Sequence, residues 1–213
     1  MIEAVISDFG GVLTSPLLDS FAAFQNSSGI SLEQLGIAMG TILGREGKHP
    51  LFELETGRMT EADFLRQLAE QLSAQLGRTV ELHGFGEQYF EHLHPNERMI
   101  EYMRELSGRG YKLAICTNNV REWEQLWRAK LPVDELFDVV VDSAFVGVRK
   151  PEPRIYELTL ERLGMPANAA LIIDDIELNC DAARALGMEA IWFQSTDQAI
   201  ADIEAALGAN AAG

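Results

Sequence analysis

The chain has 213 residues, 47% of them hydrophobic and 23% charged, which suits one large domain or a core carrying a smaller insert. Its formal charge of -16, from 33 acidic and 17 basic residues, repels nucleic-acid phosphates and anionic membranes, so neither is an expected partner. An anionic ligand must be drawn in by local positive charge or by a bound cation.

The first apolar run, Ala4-Val5-Ile6, reads as a short buried strand ending at Asp8. No basic leader with a long apolar stretch precedes it, and nowhere do about 18 apolar residues run together. Neither a targeting segment nor a membrane span is expected. Cys116 and Cys180 fall in apolar or helical surroundings, which supports no disulfide framework and makes a reducing cytoplasm the expected location.

From about residue 16 to 94 the pattern turns helical, with no convincing strand. Leu17, Phe21 and Phe24 suggest a first helix. Ser31 with Gln34 forms a capping-box pattern ahead of Leu32, Leu35, Met39, Ile42 and Leu43. Thr60 with Asp63 opens another helix, with Phe64, Leu65, Leu68, Leu72 and Leu76 on one face. This segment reads either as a bundle that only packs on the core or as a lid. The lid is favoured, because ligands of open α/β sheets bind outside strand C-termini, where the segment emerges.

Strand-like runs then resume at Lys112 to Cys116, Val139 to Val141, Ala170 to Ile173 and Ala190 to Phe193. Helical faces alternate with them: Met99, Ile100, Met103 and Leu106, closed by Gly108 and Gly110; Ile155, Leu158 and Leu163; Ile200, Ile203 and Leu207. The expected fold is α/β, a parallel Rossmann-like sheet with helices on both faces and an inserted α-helical cap. Residues 1–15 and 95–213 would form the core and 16–94 the cap. The tail from Gly208 to Gly213 is expected to fray.

Polar groups cluster at the strand ends: Asp8, Thr117-Asn118, Asp142-Ser143 and Asp174-Asp175. In a parallel sheet those ends share one edge, so carboxylates distant in sequence converge there. Converging aspartates repel unless a cation holds them, and hard oxygen donors suit Mg²⁺. Asp174 and Asp175 follow the apolar run Leu171-Ile172-Ile173, where two adjacent acids are costly without a partner. Lys150 precedes Pro151 in a segment stiffened by two prolines, which holds it in place. Asn179 lies four residues after Asp175, on the same helix face, and is a candidate brace for the acid pair. Trp123 and Trp127 share a helix face that reads as core.

In order and spacing, Asp8-Phe9-Gly10-Gly11-Val12-Leu13, Thr117-Asn118, Lys150-Pro151 and Asp174-Asp175 resemble the four motifs of the haloacid dehalogenase-like hydrolases. The likeness covers the whole chain and is closest to the branch of sugar-phosphate phosphatases and the phosphatase-like domain of soluble epoxide hydrolases. It implies an Mg²⁺-dependent phosphatase acting on a small phosphorylated metabolite, with sugar phosphates among the expected substrates. It further implies Asp8 as nucleophile, Thr117 and the Asn118 backbone as phosphoryl ligands, and Lys150 as the neutralising cation. Asp8, Asp174, Asp175 and the Gly10 carbonyl would hold the metal.

The chain departs from the family's phosphatases at Gly10, where a second Asp usually protonates the leaving group; losing such a group typically costs ~10²–10⁴ in rate. Cap residues His49, Glu53, Glu55, His83, His92 and His94 are candidate replacements. A dehalogenase-like enzyme using Arg45 to hold a carboxylate, and a non-catalytic module binding a phosphorylated ligand, are the alternatives.

Overall fold

The structure, a computed structural model, describes residues 1–209, apart from the side chains of residues 17–19, 21, 23, 27 and 209. Five strands form one parallel sheet: β1 (Ala4–Ser7), β2 (Lys112–Thr117), β3 (Val139–Asp142), β4 (Ala170–Asp174) and β5 (Glu189–Trp192), in the order β3-β2-β1-β4-β5. All five expected strands are present. The last is shifted by one residue: Phe193 lies outside it, although its N–H still donates to the Asp174 carbonyl at 2.9 Å.

Between β1 and β2 run α1 (Leu17–Ser28), α2 (Leu32–Glu46), α3 (Pro50–Glu55), α4 (Glu61–Leu76), α5 (Phe85–Glu91) and α6 (Glu97–Gly108). Then follow α7 (Glu124–Arg128), α8 (Val133–Leu136), α9 (Ser143–Val146), α10 (Pro153–Leu163), α11 (Glu177–Ala185) and α12 (Thr196–Ala209). The strand pleat sends alternate residues to opposite faces. Val5, Ile115, Leu171 and Ile173 pack with Met99 and Met103 of α6 and Ile203 of α12. Ala4, Ile6, Cys116 and Ile172 pack with Ile155 and Tyr156 of α10 and Ala183 of α11. Strands covered on both faces need the continuous apolar runs seen in the sequence. The buried side of α10 is Ile155, Tyr156, Thr159 and Leu160, whereas Leu158 and Leu163 are half-buried, so this face is rotated from the one expected.

The helical insert forms a separate apolar cluster, with Leu35 and Ala38 of α2, Leu54 of α3 and Phe64, Leu68 and Leu72 of α4 at its centre. Both expected N-caps are present. Ser31 and Gln34 exchange their capping-box hydrogen bonds, and the Thr60 hydroxyl accepts from the Asp63 N–H at 3.1 Å. Leu32 and Leu43 of α2 are exposed, so its buried side is Leu35, Ala38 and Ile42. α1 occupies the expected place with Phe24 buried; the side chains of Leu17 and Phe21 are outside those described. The chain leaves the core and re-enters it along one line, where Thr14 bridges Pro95 antiparallel and the Ser15 N–H donates to the His94 carbonyl at 2.7 Å. Gly208 and Ala209 complete α12 rather than fraying, and the rest of that tail lies outside the described residues.

Candidate active site

β1 and β4 are paired in register, Ser7 opposite Ile173, so Asp8 and Asp174 leave neighbouring strands at the same height. Thr117 ends β2 on the other side of β1 and is buried. The Asp8 N–H still bonds to the Ile173 carbonyl at 2.9 Å, which fixes the backbone beneath its carboxylate. Lys150 reaches this edge from the loop before α10. Its Nζ lies 2.9 Å from Asp8 Oδ1 and 2.6 Å from Asp174 Oδ2. Lys150 is 1% exposed and Asp174 0%, a burial that long charged side chains tolerate only when paired.

Each member of the cluster is held by a further partner. Asn118 clamps the Lys150 backbone from both sides: its Nδ2 donates to the Lys150 carbonyl at 3.0 Å, and the Lys150 N–H donates to Oδ1 at 2.8 Å. Asp174 Oδ1 accepts from the Ile176 N–H and from Asn179 Nδ2, both at 2.9 Å. Asn179 therefore braces Asp174, and the Tyr156 hydroxyl in turn donates to the Asn179 carbonyl.

One carboxylate oxygen from each of Asp8, Asp174 and Asp175 lies within 4.8 Å of the other two. Gly11 adopts φ +76°, and a Cβ there would fall 2.5 Å from Asp175 Oδ2. Only a glycine lets the backbone come this close to the acid cluster. Three hard oxygen donors in a pocket cleared of side chains fit Mg²⁺. Burial raises the Asp8 carboxyl, Lys150 opposes it, and Asp174 and Asp175 add to the rise. Asp175 is pushed up to about 6 by burial and by Asp174. Burial alone would lower Lys150, but the charges of Asp174 and Asp8 outweigh it and keep the ammonium protonated. A bound divalent cation reverses the balance for the acids.

A cavity of about 260 Å³ lies between these strand ends and the helical insert. Asp8, Gly10, Thr117, Asn118, Lys150 and Asp175 line its core side, and α2 to α5 line the other.

The family profile of the haloacid dehalogenase-like hydrolases matches residues 2–187. The chain belongs to that family. It is 30% identical to the sesquiterpene phosphatase AstK of Aspergillus oryzae over 87% of each chain. It is 32% identical to a phosphatase of Mycobacterium tuberculosis, over 92% of this chain and 89% of the relative. Coverage is not always mutual: 34% identity to mouse acyl-CoA dehydrogenase family member 10 spans 111 residues but 10% of that protein's length. The fold is shared with a magnesium complex of a haloacid dehalogenase family enzyme from Bacteroides thetaiotaomicron, at TM-score 0.68, 20% identity and coverage of 92% and 94%.

Among the described residues of this hydrolase, the strand-end groups do not all converge. Asp142 caps α9, its Oδ1 accepting from the Ala144 N–H at 2.9 Å, and stays outside the acid cluster. The Ser143 hydroxyl donates to the Glu55 carbonyl at 2.5 Å, joining core to insert. Of the candidate acids of the insert, Glu55 alone lines the cavity, paired with Arg149 at 2.6 Å. His83, His92 and His94 are exposed, His49 stacks on Phe52, and Glu53 pairs with Arg58. Arg45 is exposed, pairs with Glu46 and does not line the cavity, which removes it as a carboxylate holder.

The two tryptophans also separate. Trp127 is fully buried against Phe9, at 5.2 Å between ring centroids, whereas Trp123 precedes α7 and lines the cavity. Cys116 and Cys180 are buried free thiols, both pushed up to about 11 by burial and so inert. No helix among the described residues is long and apolar enough to cross a membrane.

Proposed function

We propose that this hydrolase is an Mg²⁺-dependent phosphomonoesterase that works through an aspartyl-phosphate on Asp8, with residues 16–94 acting as a cap over the site. The observation that carries the proposal is the junction of Asp8, Lys150 and the buried Asp174, the first two of which line the cavity. Phosphoryl transfer needs in-line positioning and charge neutralisation more than covalent chemistry from the protein. Asp8 sits at the sheet edge with its N–H bonded to the Ile173 carbonyl, which positions its carboxylate as the nucleophile.

The Asp8 oxygen attacks phosphorus and the ester P–O bond breaks, leaving an acyl phosphate on Asp8 and an alkoxide that takes a proton from solvent water. Water then attacks the same phosphorus, releases inorganic phosphate and restores the carboxylate. Splitting the hydrolysis in this way makes each step easier. Lys150 neutralises the nucleophile in the free enzyme and the equatorial oxygens as charge develops on them. Thr117 and the Asn118 backbone hydrogen-bond the phosphoryl oxygens. The Asn118 side chain acts earlier, by fixing the loop that carries Lys150. Asp8, Asp174, Asp175 and the Gly10 carbonyl would hold Mg²⁺, which supplies positive charge to the phosphoryl group when bound.

Phosphatase relatives matched along most of their length support this reading, and the substrate is accordingly a small phosphorylated molecule. The cytoplasm is the proposed compartment. Release of phosphate from an activated aryl phosphate with Mg²⁺, abolished by EDTA and by Asp8→Asn, tests the proposal. Undiminished release by Asp8→Asn would overturn it.

A further inference from the structure

Beyond its phosphate end, the cavity is a hydrocarbon surface. Leu51 of α3, Phe64 and Leu68 of α4, and Phe85 and Tyr89 of α5 line it from the insert, and Trp123 lines it from the core. The last three form a stacked wall. The centroid of Trp123 lies 5.5 Å from that of Tyr89 and 6.0 Å from that of Phe85, with interplanar angles of 22° and 29°. The Trp123 Nε1–H donates to Glu61 Oε1 at 2.8 Å, so the indole nitrogen of this wall is already engaged.

Several polar side chains along the cavity are already engaged with one another or with the backbone. Glu55 and Arg149 hold each other at 2.6 Å, and the Asn119 Oδ1 accepts from the Val120 N–H at 2.9 Å. Asn118 and Asn179 hold Lys150 and Asp174. A polyhydroxylated leaving group would lose its water against the apolar lining of Leu51, Phe64, Leu68 and Phe85, which offers its hydroxyls no partners. A hydroxyl buried without compensation costs more than a hydrogen bond returns. An apolar chain gains along the same walls.

Resting on the phosphatase reading, we infer that the substrates are phosphomonoesters of apolar alcohols, alkyl, isoprenoid or aryl, rather than sugar phosphates. The phosphate sits at Asp8 and Lys150, and the hydrocarbon lies against the Phe85-Tyr89-Trp123 wall. A cavity of about 260 Å³, just under the usual ~300–1,000 Å³ of small-molecule sites, limits the length of chain that is enclosed.

Linear alkyl phosphates of increasing length test this directly, because their leaving groups have nearly equal acidity. With Mg²⁺, kcat/KM should rise by up to about fourfold per added methylene until the cavity is filled, and should exceed that for glucose 6-phosphate by at least about a hundredfold. A flat dependence on length, or preference for the sugar phosphate, overturns the inference while leaving the phosphatase reading intact. Leu51→Asn should flatten the dependence on chain length. An unaltered slope in that variant also counts against it. Binding of alkyl phosphonates to the wild-type protein separates the two claims. Affinity that rises with chain length while no ester is hydrolysed keeps the apolar cavity and removes the catalytic reading. Neither binding nor turnover removes both.

Discussion

Lys150 and Asp8 meet Nζ to Oδ1 at 2.9 Å in the interior of the protein, and the same ammonium is shared with Asp174 at 2.6 Å. One cation thus balances two carboxylates from neighbouring strands. Its removal strands both of them, which for buried pairs costs about 3–5 kcal/mol. Lys150→Met should lower the melting temperature by roughly 6–20 °C in EDTA. Mg²⁺ should restore more of that loss than it adds to the wild type, because it replaces the missing positive charge. Thermal melts with and without Mg²⁺ check both statements; equal melting temperatures for the two proteins in EDTA would contradict them.

The wall of the cavity depends on Gly86, in the first turn of α5. A Cβ at this position would lie 2.4 Å from Trp123 Nε1. Gly86→Ala should push α5 and Trp123 apart, weaken the bond from Trp123 to Glu61, and cost about 1–3 kcal/mol. Gly40→Ala is the control, since nothing lies within 4 Å of its Cβ and α2 continues through it. That change should stabilise the chain by about 0.5–1 kcal/mol. Chemical denaturation of the two variants, together with tryptophan fluorescence, measures the contrast.

Asp142 gives the fold a pH dependence away from the acid cluster. Burial is the main reason that it is pushed up from 3.8 to about 6, against the Ala144 N–H and the Trp127 side chain, which pull it down. The folded chain keeps this proton where the unfolded chain has lost it. The group therefore lowers stability progressively between about pH 4 and pH 6, and its full cost is present above that window. Asp142→Asn retains an acceptor for the Ala144 N–H. It should stabilise the protein by on the order of 1–2 kcal/mol at pH 7.5 and by nothing measurable near pH 3.5. Urea titrations at the two pH values decide; a gain independent of pH would contradict the assignment.

Gly10 stands where the family's phosphatases place an acid, so departure of the alkoxide is expected to lean on its own stability. Across aryl phosphates of graded phenol pKa, the wild-type rate should fall steeply as leaving-group pKa rises. Gly10→Asp should flatten that slope and accelerate the poorest leaving groups by about tenfold or more. A flat slope in the wild-type enzyme would show that another residue, with Glu55 first in line, supplies the proton.

The sheet was legible because its strands are buried on both faces: Leu171-Ile172-Ile173 and Leu113 to Cys116 can be nothing but core, and the polar residues ending them mark one edge. Three of the four motifs, at Asp8, Thr117-Asn118 and Asp174-Asp175, lie on that edge, whereas Lys150 stands out through the two prolines that stiffen its loop. What stayed hidden depends on the path of the chain across the insert. Nothing in the sequence places Trp123 on a cavity wall and Trp127 inside the core, because the turn before α7 separates two residues that periodicity puts together. The clamp of the Asn118 side chain on Lys150 spans 32 positions and was equally unreadable. The i to i+4 spacing from Asp175 singles out Asn179, but Asp175 precedes α11 and the amide reaches Asp174, five residues back. Local chemistry and burial leave a trace in sequence; long-range contacts between loops do not.

The most direct test of the proposed chemistry is covalent. Wild-type enzyme with Mg²⁺ and substrate is quenched in the first turnovers and treated with borohydride, which reduces an acyl phosphate and leaves a free carboxylate unchanged. Peptide mass spectrometry should then find homoserine in place of aspartate at Asp8, with no such conversion when substrate or Mg²⁺ is omitted. Phosphate release with Asp8 unmodified throughout, or conversion at Asp174 or Asp175 instead, would contradict a nucleophilic role for Asp8.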